Sequence, residues 1–273
     1  MLLSGVVQWL RAWRFAVMGS GARALPRATL VAIACQVNLF NFLLPFRLGE
    51  VSFPVLMRLR LGQPLAVSSG VLVLARLFDL ATVGAILLGT AAILRVGGEA
   101  LTIPLVAASA LLAVTPFALI EIGRLPPPSR LPARLTNLAE QATLVLRHLR
   151  ARRAGFAAVG LSFAAWAVFG GLAYLAANAV AGAVGLVPAM FGAAATNIAF
   201  ALPINGLAGL GPTQVAWVAA VSRTGMSWNE AFTTALAVHA AALCGAVLFG
   251  GAGFLRLGTG RRDEGNVKAR PLP

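Results

Sequence analysis

Residues 67–94 form a run of 28 positions in which Arg76 and Asp79 are the only charged side chains. A run so long and apolar suits the hydrocarbon of a bilayer. There about 20 residues cross as a helix, because the backbone has no water to bond. The two charges stand at i and i+3, on one helical face. Each costs about 2.5–3.5 kcal/mol at the centre of a span, so both are expected to be paired or to face a wet cavity. In one reading they neutralise each other, or Arg47 and Glu50, as structural glue. In the other, arginine's planar fork holds a lipid phosphate, with Arg47 taking part. The two are compatible.

The rest of the 273 residues supports the same class. Apolar residues make up 59% and charged residues only 11%, where a soluble domain carries about 25% charged. The chain is expected to be an all-α polytopic membrane protein. A net charge of +14 would suggest nucleic acid in a soluble protein, but the arginines here bracket apolar spans. They are read as setting orientation and meeting anionic headgroups, with no nucleic-acid partner. Cys35 and Cys244 lie far apart in apolar runs and are expected to pack as free thiols. Residues 2–10 have no basic segment before them, so a cleavable signal peptide is not expected.

Along the chain, residues 2–18 hold Trp9, Arg11, Trp13 and Arg14, anchors that place this short stretch at the membrane–water boundary. Residues 28–46 run into a break at Pro45, and residues 48–59 follow, closed by Arg58 and Arg60. Proline frees backbone hydrogen-bond groups, and irregular backbone at membrane depth survives only packed in protein or lining a wet cavity. A broken or re-entrant hairpin is the expected result. Asn38, Asn41, Pro45, Arg47, Gly49 and Glu50 gather at the break, which makes it the first candidate for the working site; a kink beside a surface arginine is the plainer reading. Spans follow at 67–94 and 101–120. Residues 121–155 change character, with seven arginines, a Pro126-Pro-Pro128 entry and an amphipathic stretch at 134–153 suited to a leaflet surface. A span at 156–179 has small residues at 177, 181 and 185 for close packing. Residues 187–202 then meet a second break at Pro203. Ser227-Trp-Asn-Glu230 fits a capping box opening the last span. The expected organisation is a first membrane repeat (1–120), a basic cytoplasmic linker (121–155), a second membrane repeat (156–256) and a disordered cytoplasmic tail (257–273).

The halves echo each other. Asn38…Phe42-Leu-Leu-Pro45 corresponds to Asn197…Phe200-Ala-Leu-Pro203, and Arg60-Leu-Gly62 to Arg223-Thr-Gly225. On that register Arg76 falls opposite His239. If each broken segment returns to the side it entered, eighteen basic residues share one side against Arg95 and Arg223 on the other. That asymmetry places the amino terminus, linker and tail in the cytoplasm. The first hairpin then enters from the cytoplasm and the second from outside, an inverted repeat with a midplane site.

Around the second break, Asn205, Gly209 and Gly211 are read as exposing backbone N–H groups to an anion or, equally, as permitting the turn. Asn197, Pro203, Gln214 and His239 complete the candidate substrate-binding set. A lone histidine on an apolar face is commonly a packing residue, but its correspondence with Arg76 points it toward the cavity. Neither metalloprotease, nucleophile-elbow nor phosphate-loop patterns occur. No catalytic residue, metal or cofactor is assigned, and the chain is not expected to be an enzyme.

Three stretches carry a resemblance: Asn41-Phe-Leu-Leu-Pro-Phe-Arg-Leu-Gly-Glu50, Arg76-Leu-Phe-Asp79, and Leu202-Pro-x2-Gly-Leu-Ala-Gly-Leu-Gly211. With them the chain resembles the lysylphosphatidylglycerol synthase transmembrane (flippase-like) family over roughly residues 10–255. The resemblance implies a stand-alone lipid-translocating domain of the bacterial inner membrane, without the synthase domain of larger members. Ala75 stands where the family usually has Glu, and Pro212-Thr-Gln214 replaces its second charged pair. Its usual first helix and part of its second have no counterpart, as in a shortened start. The function implied is flippase-like transport of an anionic or glycosylated lipid, with Arg47, Arg76 and His239 receiving the headgroup while Glu50 and Asp79 balance the field. The alternative is an accessory subunit presenting lipid to a separate transferase. That transferase and a second copy of the chain are the protein partners considered.

Overall fold

The computed structural model describes residues 1–19, 25–125, 132–151, 154–181, 184–202 and 207–259. These are helical, without a strand among them. In chain order the helices are α1 (Leu2–Gly19), α2 (Arg27–Leu43), α3 (Ser52–Leu61), α4 (Leu65–Ile93), α5 (Glu99–Ile122), α6 (Ala133–Ala151), α7 (Ala154–Ala181), α8 (Leu186–Ala201), α9 (Pro212–Val221) and α10 (Trp228–Thr259). Among the described residues, four segments are long and apolar enough to cross a membrane: Leu65–Ile93, Glu99–Ile122, Ala154–Ala181 and Trp228–Gly258. With this composition they make the chain a membrane-embedded protein.

The two proline breaks produce the same local structure. Leu44 ends α2 at φ −96°, ψ 137°, and Leu202 ends α8 at φ −75°, ψ 143°. Each is the residue before a proline, where the ring's Cδ excludes the helical region. Short 3₁₀ helices follow, seven residues at Pro45–Val51 and three at Leu207–Gly209, then the ten-residue helices α3 and α9. At a rise of about 1.5 Å per residue these reach only about 15 Å, half a bilayer. Both pieces end at a glycine in the left-handed region, Gly62 (φ +66°) and Gly225 (φ +93°). The long helices α4 and α10 begin just beyond. At the start of α10 the Ser227 Oγ donates to Glu230 Oε2 at 2.6 Å, and the Ser227 N–H donates to the same oxygen at 3.1 Å.

Among the described residues the buried apolar side chains form four clusters, two of them large. The first joins α1 to α4 with α6 and the start of α7, around Phe15, Ile33, Phe53, Phe78 and Leu149. The second joins the end of α7 with α8, α9 and α10, around Ala173, Ala177, Ala189, Trp217 and Val221. Lipid tails are as apolar as these side chains, so the gain is close packing rather than release from water. The halves exchange partners: α2 packs along α10, and α8 along α4.

Two expectations are corrected. Helix α1 packs on α7 and α2 and leaves Trp9 and Trp13 exposed, but its Arg14 is only 1% exposed and is not an interface anchor. An arginine survives there because it is paired, as described below. Helix α6 buries Val145, Leu146 and Leu149 in the first core, so its apolar face rests on protein. Cys35 and Cys244 are free thiols.

Candidate functional site

The charges of the long apolar run sit in one ion network. Arg14 grips Asp79 with both terminal nitrogens, at 2.6 and 3.0 Å, and one of them also donates to Ser162 Oγ at 2.9 Å. Arg76 donates to Asp79 Oδ2 at 3.0 Å, and the Trp166 indole N–H to Oδ1 at 2.9 Å. Asp79 thus accepts four hydrogen bonds, as many as a carboxylate has lone-pair positions. It has no acceptor capacity left for a ligand. Arg76 turns its Nε to within 2.9 Å of Glu50 Oε2, an ion pair without an aligned N–H. The guanidinium of Arg11 lies over the face of Trp166 at 5.3 Å from its centroid and donates to Asn38 Oδ1 at 3.4 Å.

Beside this network, between the two cores, lies a cavity of about 90 Å³ walled by α1, α2, α4, α7, α8, α9 and α10. That volume holds several waters. Its wall is unusually polar for a membrane interior. Ser4, Gln8 and Arg11 come from α1, Asn38 and Asn41 from α2, Arg76 from α4, Thr196 and Asn197 from α8, Thr213 and Gln214 from α9, and His239 from α10. Five of these carry a buried atom without a hydrogen-bond partner: Ser4 Oγ, Gln8 Oε1, Asn41 Oδ1, Gln214 Nε2 and His239 Nε2. Each such atom costs about 1–3 kcal/mol unless something occupies the space. Phe42 and Phe200, last aromatic residues before their breaks, meet on the wall at 5.6 Å, and Phe42 also abuts His239.

A second opening, a groove of about 500 Å³, runs along the outside of α4 and α8. It is lined by Leu48, Val51, Leu72, Leu80, Val83 and Ile198, with Glu50, Arg76 and Asp79 at one end. Leu48, Val51 and Leu80 are more than half exposed, so this groove faces the surroundings of the bundle. Arg76 and Asn197 belong to both walls.

The local fold explains how the backbone is held here. A Cβ on Gly49 would overlap the Asn41 nitrogen and the Phe40 carbonyl carbon, so the first break lies directly on α2. At the second break, Gly209 (φ +74°) sits where a Cβ would come 2.7 Å from the Phe200 ring. There the Gln214 Oε1 accepts the Gly211 N–H at 2.7 Å, while the Thr213 hydroxyl donates to the Gly209 carbonyl at 2.6 Å. The Gln214 Nε2 is buried without a hydrogen-bond partner.

Of the residues singled out in sequence, Asn38, Asn41, Arg76, Asn197, Gln214 and His239 come together on the cavity wall. Glu50 and Asp79 lie in the groove, while Gly49, Gly209 and Gly211 shape the turns. The side chains of Pro45 and Arg47, and the whole of Pro203 and Asn205, lie outside the described residues. Sequence reasoning missed Ser4, Gln8, Arg11 and Arg14, together with Ser162 and Trp166. A signal was present: Ser4, Gln8 and Arg11 recur at i, i+4 and i+7 in an otherwise apolar helix, which puts them on one face.

Compared with protein families, residues 1–250 match the one described as Lysylphosphatidylglycerol synthase TM region. No curated protein and no solved structure matches the chain.

Proposed function

The chain belongs to the lysylphosphatidylglycerol synthase TM region family, and on that premise we propose that it is a flippase-like transporter for an anionic or glycosylated lipid. The match covers a transmembrane region, not a catalytic domain. The observation that carries this reading is the cluster of five unpartnered buried polar atoms around a cavity inside an otherwise apolar bundle. A membrane protein keeps polar atoms inside where something polar must enter. A lipid has the matching shape. Its headgroup fits the polar cavity, its acyl chains fit the apolar groove, and Arg76 stands where the two meet.

On this reading the matching α2–α4 and α8–α10 segments form an inverted repeat, an architecture in which the paired breaks alternate access to a midplane site. The membrane is the bacterial inner membrane, and the basic linker and tail are cytoplasmic.

The test is reconstitution of the purified chain in liposomes carrying tail-labelled anionic or glycosylated lipid, with chemical quenching of the outer leaflet. The expected result is protein-dependent exchange between leaflets, lost in Gln8→Met and Asn41→Leu while both variants keep their helical content. Lipid bound stoichiometrically but never moved would replace transport by presentation to a partner transferase. Neither binding nor exchange would overturn the proposal.

A further inference from the structure

Apart from the cavity and the groove, we propose that the crevice between α1 and α2 on the outside of the bundle binds a glycerophospholipid. Its phosphate meets Arg27, and an acyl chain lies along Trp13 and Trp9.

Depth gives the first argument. Arg14 on α1 pairs with Asp79, which stands midway along the spanning helix α4. The part of α1 around Arg14 therefore runs within the membrane. Trp13 directly precedes it and Trp9 lies one turn away, and both are exposed, so lipid meets them. The guanidinium of Arg27, itself an exposed residue, lies 5.6 Å from the centroid of the Trp13 ring. An exposed cation at that depth is costly unless it is paired or reaches headgroup oxygens. Among the described residues lining the crevice Arg27 is the only charged one, so the protein supplies no counter-ion there.

Hydrogen-bond chemistry gives the second. The polar side chains of the crevice are Arg27, Trp9 and Trp13, and all three carry donors only. Among the described residues none of the three has a hydrogen-bond partner. A ligand that answers them is rich in acceptors. A glycerophospholipid brings a phosphate, matched to the arginine fork, and ester carbonyls for the indole N–H groups.

Shape gives the third. The Trp9 and Trp13 rings meet edge to face at 4.7 Å and brace each other. Small side chains at Ala12 and Ala16 open a space of about 50 Å³ against Leu30 and Val31, an apolar seat for part of an acyl chain. Arg27 is the first residue of α2, and Trp13 is nearer than Trp9 to the end of α1 that leads into it. The phosphate therefore lies toward that end, and the chain runs past Trp9.

The test uses the full chain in detergent micelles, with Trp228→Phe removing the other exposed tryptophan; Trp166 and Trp217 are buried. Tryptophan quenching is titrated with three lipids sharing brominated acyl chains: phosphatidylglycerol, phosphatidylcholine, and a diacylglycerol that keeps the ester carbonyls without the phosphate. Both phospholipids are expected to quench at concentrations at least about tenfold lower than the diacylglycerol, the effect of a charge-assisted hydrogen bond. Arg27→Gln is expected to bring that ratio to within about twofold, with helical content by circular dichroism unchanged. Quenching by the diacylglycerol at the same concentrations as the phospholipids overturns the proposal, because the crevice then makes acyl-chain contact only. A phospholipid preference that survives Arg27→Gln overturns it too, since the phosphate is then held elsewhere. Neither substitution touches a residue lining the cavity or the groove, so the outcome stands apart from the transport reading.

Discussion

The two hairpin breaks share a backbone plan but are held by different chemistry. At the first, Gly49 lies against the backbone of α2, and the adjoining Glu50 joins an ion network running through Arg76 and Asp79 to Arg14 on α1. At the second, the side-chain hydrogen bonds among the described residues are neutral: Thr196 to the Thr213 carbonyl, Thr213 to the Gly209 carbonyl, and the Gly211 N–H to Gln214. A buried ion network is rigid because each charge, left alone, is severely unfavourable in low dielectric. Neutral amides can exchange one partner for another at little cost. On the proposed reading, the contrast suits the first half to scaffolding and the second to accommodating a headgroup, although both contribute to one cavity.

The sharpest way to break that contrast is to remove Asp79. Asp79→Ala leaves Arg14, with a side chain 2% exposed, as an unpaired buried cation. A loss of about 3–5 kcal/mol is expected. It would be read as a large drop in the unfolding temperature in detergent. Adding Arg14→Met should recover part of that loss, since the pair then disappears together. An Asp79→Ala protein as stable as the parent would show that the network does not hold the first half.

Gly49→Ala ranks next. The clash is with backbone of α2, which cannot rotate away, so about 1–3 kcal/mol of destabilisation is expected. Gly209→Ala is its counterpart at the second break. There the obstacle is the edge of the Phe200 ring, which can turn, and the main penalty is an L-residue at φ +74°. That penalty is about 1–2 kcal/mol. Thermal unfolding of the two variants side by side checks the order. A larger loss at Gly209 would show that the second break is the more rigid one.

How much of this was legible in sequence follows the range of the forces involved. The breaks at Pro45 and Pro203, the glycines closing Arg60-Leu-Gly62 and Arg223-Thr-Gly225, and the Ser227/Glu230 box are local, decided within a few residues by steric and capping rules. The four long spans are set by composition over about 20 residues. Arg14 was misread because an arginine in a tryptophan-bearing apolar helix looks the same whether it meets water or protein. What decides is the partner, and for Arg14 those partners are 65 and 148 positions away, at Asp79 and Ser162. The same misreading placed Arg11 and Arg14 among the cytoplasmic basic residues. Moving them inside lowers that count from eighteen to sixteen and leaves the asymmetry standing. Arg76 and His239 were paired by the repeat alone, and both reach the cavity wall.

The smallest stability effect is expected where the functional effect should be large. Gln214→Leu removes the acceptor for the Gly211 N–H at 2.7 Å and a polar side chain of the cavity wall. Gly211 is exposed, so water can replace the lost acceptor, and the cost should stay near about 1 kcal/mol, as for other lost helix caps. On the proposed reading headgroup binding should nevertheless fall, because leucine replaces a polar residue of the wall with an apolar one. The unfolding temperature and lipid binding of Gln214→Leu therefore have to be measured on the same preparation as Asp79→Ala. If the neutral variant unfolds as readily as the charged one, the second break is scaffold too, and the division of labour fails. If it stays folded but stops binding, the polarity around Gln214 is kept for the ligand, and the ion network for the fold.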